Sequence, residues 1–178
     1  GNNNVVVSRY PILASELLTK SGRTMAVLLN TESSIGSNLL LINSHLACCG
    51  NNSSRQNDAD ELISVLREWR SGNGPFELEA NMPIIHVGDF NLVGDSQQLK
   101  TLTDGDIVNE AKFGADFMPD WDNTPFVDLF SHHTSIRMGY TWRDDNSSFN
   151  PGKLDYVLYT DSNVKLGKHF VLNTLAMS

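Results

Sequence analysis

A chain of 178 residues with 40% apolar content is too hydrophobic for wholesale disorder. One domain of this size buries roughly 70% of its unfolded surface. Its 21 acidic against 13 basic residues give a formal charge of −8 without any Lys/Arg cluster. That balance excludes a module coating nucleic acid by bulk electrostatics, but not an enzyme that meets phosphate through a cation. No apolar stretch approaches the ~20 residues of a membrane helix, and no signal-peptide pattern is visible. The opening Gly1-Asn2-Asn3-Asn4 reads as the trimmed edge of a longer chain, so localisation stays open.

In chain order, residues 5–7 (Val-Val-Val) predict a short strand, followed by a turn over Ser8-Arg9-Tyr10-Pro11-Ile12. Residues 23–30 and 38–46 are apolar runs of strand length around a polar loop, which is a hairpin signature. Cys48 and Cys49 follow. They are not a disulfide framework, since a bridge between neighbours strains the backbone. Together with His45 they make a poor tetrahedral zinc site, and two small semi-buried thiols are expected. Ser54 is the expected N-cap of a helix in which Ala59, Leu62, Ile63, Leu66 and Trp69 repeat at helical spacing until Gly72. A strand over residues 83–87 ends in Gly88-Asp89, and residues 96–102 predict a short helix. Residues 104–128 interleave seven aspartates and glutamates with Phe113, Phe117, Trp121 and Phe126. They read as a packed covering loop whose aromatics face the body and whose carboxylates face water. Three more strands are expected over residues 139–143, 153–159 and 164–172. Strands separated by helices, with hairpins among them, predict an α+β sandwich of two packed sheets.

Three features carry chemistry. Gly88-Asp89-Phe90-Asn91 follows a buried strand, where rigid backbone can hold a carboxylate and a carboxamide toward one cleft. Gly88 would permit close approach of a ligand, and Phe90 would point into the core. An Asx turn closing the strand is the alternative. His45 ends another apolar run, either as a catalyst or as a hydrogen-bonded core residue. Asp155 interrupts a run suited to a buried strand and therefore needs a partner: Lys153, a backbone amide, or a histidine that it orients.

In this order, these segments together resemble the endonuclease/exonuclease/phosphatase superfamily. The resemblance rests on Ser8-Arg9-Tyr10-Pro11-Ile12, Asn43-Ser44-His45-Leu46, Arg55 with its helix, Gly88-Asp89-Phe90-Asn91, Tyr140-Thr141-Trp142 and Leu154-Asp155-Tyr156-Val157. It implies a four-layer α/β sandwich of two mostly antiparallel sheets with outer helices. It also implies that Asp89 positions or activates the attacking water, and that Asn91 fixes that water, a metal or a phosphate oxygen. His45 would hydrogen-bond the scissile phosphate, and Asp155 would orient a second histidine. Asp89 and Asn91 are the implied ligands of Mg2+ or Mn2+, while Arg55 and Trp142 are candidate substrate contacts. The family's metal-ligating Glu before the Ser-Arg-Tyr-Pro segment and its terminal Ser-Asp-His segment have no match here. Residues 1–178 are therefore expected to form one such domain incomplete at both ends. By itself it would be inactive or weakly active, and prone to self-association through exposed edges. His132, His133 and His169 lack the expected context and read as surface or core residues. The implied activity of the full-length protein is metal-dependent phosphodiester hydrolysis of nuclease type. The alternatives are a phosphomonoester or phospholipid head-group hydrolase, and a non-catalytic binding module that retains the fold.

Overall fold

The computed structural model describes residues 4–174. Ten elements follow one another: β1 (Ile12–Leu17), β2 (Thr24–Leu29), α1 (Glu32–Ile35), β3 (Leu39–His45), α2 (Asn52–Arg70), β4 (Ile84–Asp89), α3 (Ser96–Asp104), α4 (Glu110–Phe113), β5 (Val127–Asp128) and β6 (Asp155–Tyr159). The strands form one mixed sheet in the order β1-β2-β3-β4-β6-β5. All neighbours are antiparallel except β3 and β4, which are parallel and joined through α2.

The α+β class expected from the sequence is observed. Of the two expected sheets, the described residues form this one. Residues 139–143 and 164–172 contribute only isolated bridges, Trp142 to Gly152 and His133 to Val171. The difference has a local cause: the 130–172 region keeps Phe130, Ile136, Met138, Leu166 and Phe170 about half exposed, so burial does little there to set a strand register. Residues 5–7 likewise form no strand. Val5 and Val7 are 76% and 92% exposed, and the first strand is β1, which starts at the end of the expected turn and runs through residues for which no strand was expected. Among the described residues no helix is long and apolar enough to cross a membrane.

Alternation positions the core. On β3, Leu40, Ile42 and Ser44 are buried, while Leu39, Leu41, Asn43 and His45 are less so. The buried side packs against the apolar stripe of α2, where Ala59, Leu62, Ile63, Leu66 and Trp69 are all 5% exposed or less. Helix α2 begins two residues before the expected cap. Asn51 is the N-cap, without a side-chain cap bond, and Ser54 lies in the first turn.

The 104–128 insert docks on α2 through hydrogen bonds as well as aromatic packing. Arg67 donates to the carbonyls of Phe113 and Ala115, and Arg70 to those of Pro119 and Asp120. The Asp60 carboxylate accepts from the amides of Val108 and Asn109. Phe113 and Phe126 are buried, and Phe117 and Trp121 pack against the core. Asp120 departs from the expected water-facing carboxylates. It is fully buried, because the Trp121 amide and the amide and hydroxyl of Ser162 satisfy it.

Candidate functional site

The register of β3, β4 and β6 brings the candidate residues together. His45 pairs with Asp89 across the parallel ladder, and Asp89 pairs with Asp155 across the antiparallel one. Lateral neighbours project from the same side of a sheet, so all three side chains share the face opposite α2. His45 Nε2 lies 3.8 Å from Asp89 Oδ2, with both side chains partly exposed. Burial pushes the Asp89 carboxyl above the usual range, and the neighbouring Asp155 charge adds to this. The Asn91 amide and His45 oppose it.

Asn91 is tied to the same cluster. Its backbone N–H donates to Asp89 Oδ1 (2.9 Å), and its Nδ2 donates to the Leu46 carbonyl (3.0 Å). It sits at φ 51, a left-handed conformation that Asn tolerates. With the amide nitrogen engaged, Oδ1 is the atom Asn91 can offer to a cation or a water proton. The Asx turn weighed for this segment is present, and it leaves that oxygen available. Phe90 points into the core as expected, fully buried against His86 and Tyr156. Gly88 does not serve a ligand: at φ 133, a Cβ there would stand 1.9 Å from the Ser44 carbonyl oxygen. The glycine admits the neighbouring strand.

Asp155 corrects another expectation. It is exposed at the first position of β6, so it needs no buried partner, and Lys153 pairs with Asp128 instead. The Thr141 hydroxyl accepts the amides of Leu154 and Asp155 (3.0 and 2.9 Å), fixing the entry to β6. Beside the cluster opens a cleft of about 630 Å3, formed by the loops leaving β3 and β4 and entering β6. Asn91, Leu92, Trp142, Phe149, Leu154 and the two cysteines are among its lining residues. Trp142 is thus on a cleft wall. His132 and His169 are exposed and His133 is buried against Tyr140, as read from the sequence.

Arg55 cannot present its guanidinium to substrate. It is fully buried, donating to the carbonyls of Ala47 (2.5 Å) and Cys49 (3.0 Å), to Gln98 Oε1 (3.1 Å) and to Asn52 Oδ1. It shapes the loop on the cleft wall from behind. Arg55→Met leaves two carbonyls without their charged donor, and a loss of about 3 kcal/mol is expected. Urea unfolding checks this, and a loss below about 1 kcal/mol would contradict the caging role.

His86 was not singled out by sequence reasoning, although an imidazole at an inward position of a strand must find a polar partner. It is buried directly behind the cluster. Its Nε2 is 2.7 Å from Ser44 Oγ, which is 2.9 Å from Thr24 Oγ1. Burial pushes its pKa down to about 3. Thr141 was quoted only as part of a motif, and its double acceptor role required the fold.

The sequence matches no family model and no curated protein sequence. Solved structures do share its fold. Beta toxin from Staphylococcus aureus with bound magnesium ions superposes with a TM-score of 0.51 at 15% identity, over 89% of this chain and 52% of that one. Sphingomyelinase C from Streptomyces griseocarneus gives 0.50 at 13% identity, over 89% and 52%. ANGEL2, a 2′,3′-cyclic phosphatase, gives 0.51 at 16% identity, over 86% and 56%. The chain thus spans about half the length of the solved structures it matches. The likeness bears on the fold alone.

Proposed function

We propose that this chain carries part of the active site of a metal-dependent phosphoester hydrolase acting on phosphodiesters. One observation carries the reading: three adjacent strand ends present His45, Asp89 and Asp155 in lateral register beside an open cleft. A structural role accounts poorly for two like charges in register, because their repulsion destabilises the sheet unless a cation or a substrate proton offsets it. Phosphoester hydrolases among the solved structures of this fold support the reading.

The donor set fits a hard divalent cation. Asp89 and Asn91 offer oxygens suited to Mg2+ or Mn2+. Among the described residues no group of three His, Cys, Asp or Glu is arranged to hold a metal ion by itself, so waters and substrate oxygens would have to complete its shell. When bound, such an ion neutralises charge on the phosphoryl group. The protein's own groups divide the remaining work. Asp89, whose carboxyl is raised chiefly by burial, accepts a proton from the attacking water more readily than an ordinary aspartate. Asn91 Oδ1 orients that water or the ion. His45 Nε2 donates to a phosphate oxygen and stabilises the charge that develops there. Asp155 is accessible for orienting a histidine.

Hydrolysis of bis-p-nitrophenyl phosphate with Mg2+ tests this, on the chain and on any longer protein containing it. Asp89→Ala and His45→Ala are each expected to lower kcat/KM by roughly 10²–10⁴-fold. The chain alone, spanning about half of the matched structures, is expected to turn over weakly. Turnover that survives both substitutions or excess EDTA overturns the assignment.

A further inference from the structure

The loop leaving β3 carries the two cysteines of the sequence, adjacent and both exposed. Their Sγ atoms lie 2.6 Å apart, well inside van der Waals contact, so neighbouring side chains that could diverge instead face each other. Cys49 adopts φ 63, a left-handed conformation that curls the peptide between them. Arg55 holds this shape from beneath through the Ala47 and Cys49 carbonyls, and both thiols line the cleft with Asn91 and Trp142. None of this is needed for the hydrolytic cluster.

We propose that Cys48 and Cys49 form a redox-modifiable dithiol in the cleft wall, oxidised to a disulfide by a low-molecular-weight disulfide of the glutathione type. With the two Sγ atoms in contact either sulfur can attack first, and the step is the same when it starts at Cys48. Its thiolate attacks one sulfur of the small disulfide, breaking that S–S bond and releasing one small thiol. Cys49, after losing its proton to solvent, attacks the Cys48 sulfur of the mixed disulfide and releases the second small thiol. Two protein thiols are oxidised and one small disulfide is reduced to two thiols. Neighbouring Cα atoms are ~3.8 Å apart, short of the usual disulfide span of about 4.4–6.8 Å, so the bond is strained and easily reduced. It is therefore a reversible modification rather than a structural staple.

The test is intact-mass measurement of the native chain after incubation with oxidised glutathione, followed by mapping of the tryptic peptide 24–55. The expected result is a monomer lighter by two hydrogens, with the loss confined to that peptide and reversed by dithiothreitol. Cys48→Ser and Cys49→Ser, both exposed positions outside the hydrolytic cluster, are each expected to retain one glutathione, because the resolving thiol is gone. A wild-type chain that keeps bound glutathione, forms intermolecular dimers or does not react overturns the proposal. The readout is mass, so failure of the hydrolytic reading leaves the result intact.

Discussion

Gly88→Ala is expected to leave little folded protein, with a destabilisation of more than about 4 kcal/mol against the roughly 5–15 kcal/mol that holds a domain together. Two effects add. The residue sits at φ 133, a region that L side chains rarely adopt, and strain of this kind costs on the order of 1–3 kcal/mol. The new Cβ would also stand 1.9 Å from the Ser44 carbonyl oxygen and 2.9 Å from its carbonyl carbon. Those atoms are backbone, and β3 is held by ladders to both β2 and β4, so it cannot retreat without breaking one of them. Gly94→Ala supplies the control. It has φ 84 but nothing within 4 Å of a Cβ, so only the backbone term applies, about 1 kcal/mol. Urea unfolding followed by circular dichroism separates the two. Equal midpoints for both variants would show that the close approach of β3 and β4 is not the constraint argued here.

Lowering the pH from about 6.5 to about 3 is expected to remove roughly 4–5 kcal/mol of stability through His86 alone. The folded pKa lies near 3 and the unfolded one near 6.5, so across that window the unfolded chain binds a proton that the folded chain refuses. Stability is whole above the unfolded value and falls by about 1.4 kcal/mol per pH unit as the pH drops toward the folded one. Burial raises the carboxyls of Asp58 and Asp89, which then protonate in the folded state and offset part of the loss at the acid end. His86→Leu isolates the effect. It leaves the Thr24 and Ser44 hydroxyls bonded to each other and is expected to flatten the slope of unfolding free energy against pH by about one proton. An unchanged slope would mean that the imidazole titrates normally and that its burial is relieved before unfolding.

The candidate site was legible where residue chemistry and strand ends coincide. His45 and Asp89 each close an apolar run, and such ends are where a sheet presents side chains to a cleft. Asp155 does stand beside Asp89, but not for the reason the sequence suggested: its run looked buried, while the residue itself opens β6 in solvent. Arg55 misled in the opposite sense. An arginine in the first turn of a helix is ordinarily exposed, and only the return of the 47–50 loop over it creates the cage of carbonyls. His86 was overlooked because apolar-run reading counts Ile, Ile and Val and passes over the imidazole between them.

What the sequence by itself determined is local. The stripe of α2, the β2–β3 hairpin, and the strand ending at Gly88-Asp89 follow from side-chain periodicity and turn chemistry within a few residues of one another. Tertiary structure alone decided which strand ends meet. The parallel register of β3 and β4 depends on how far α2 carries the chain. The insertion of β6 between β4 and β5 joins Asp155 to Asp89 across 66 residues of sequence. Periodicity assigns a face to each strand, but a ladder is chosen by which apolar faces bury together at least backbone strain. That choice is non-local, and it sets His45, Asp89 and Asp155 side by side.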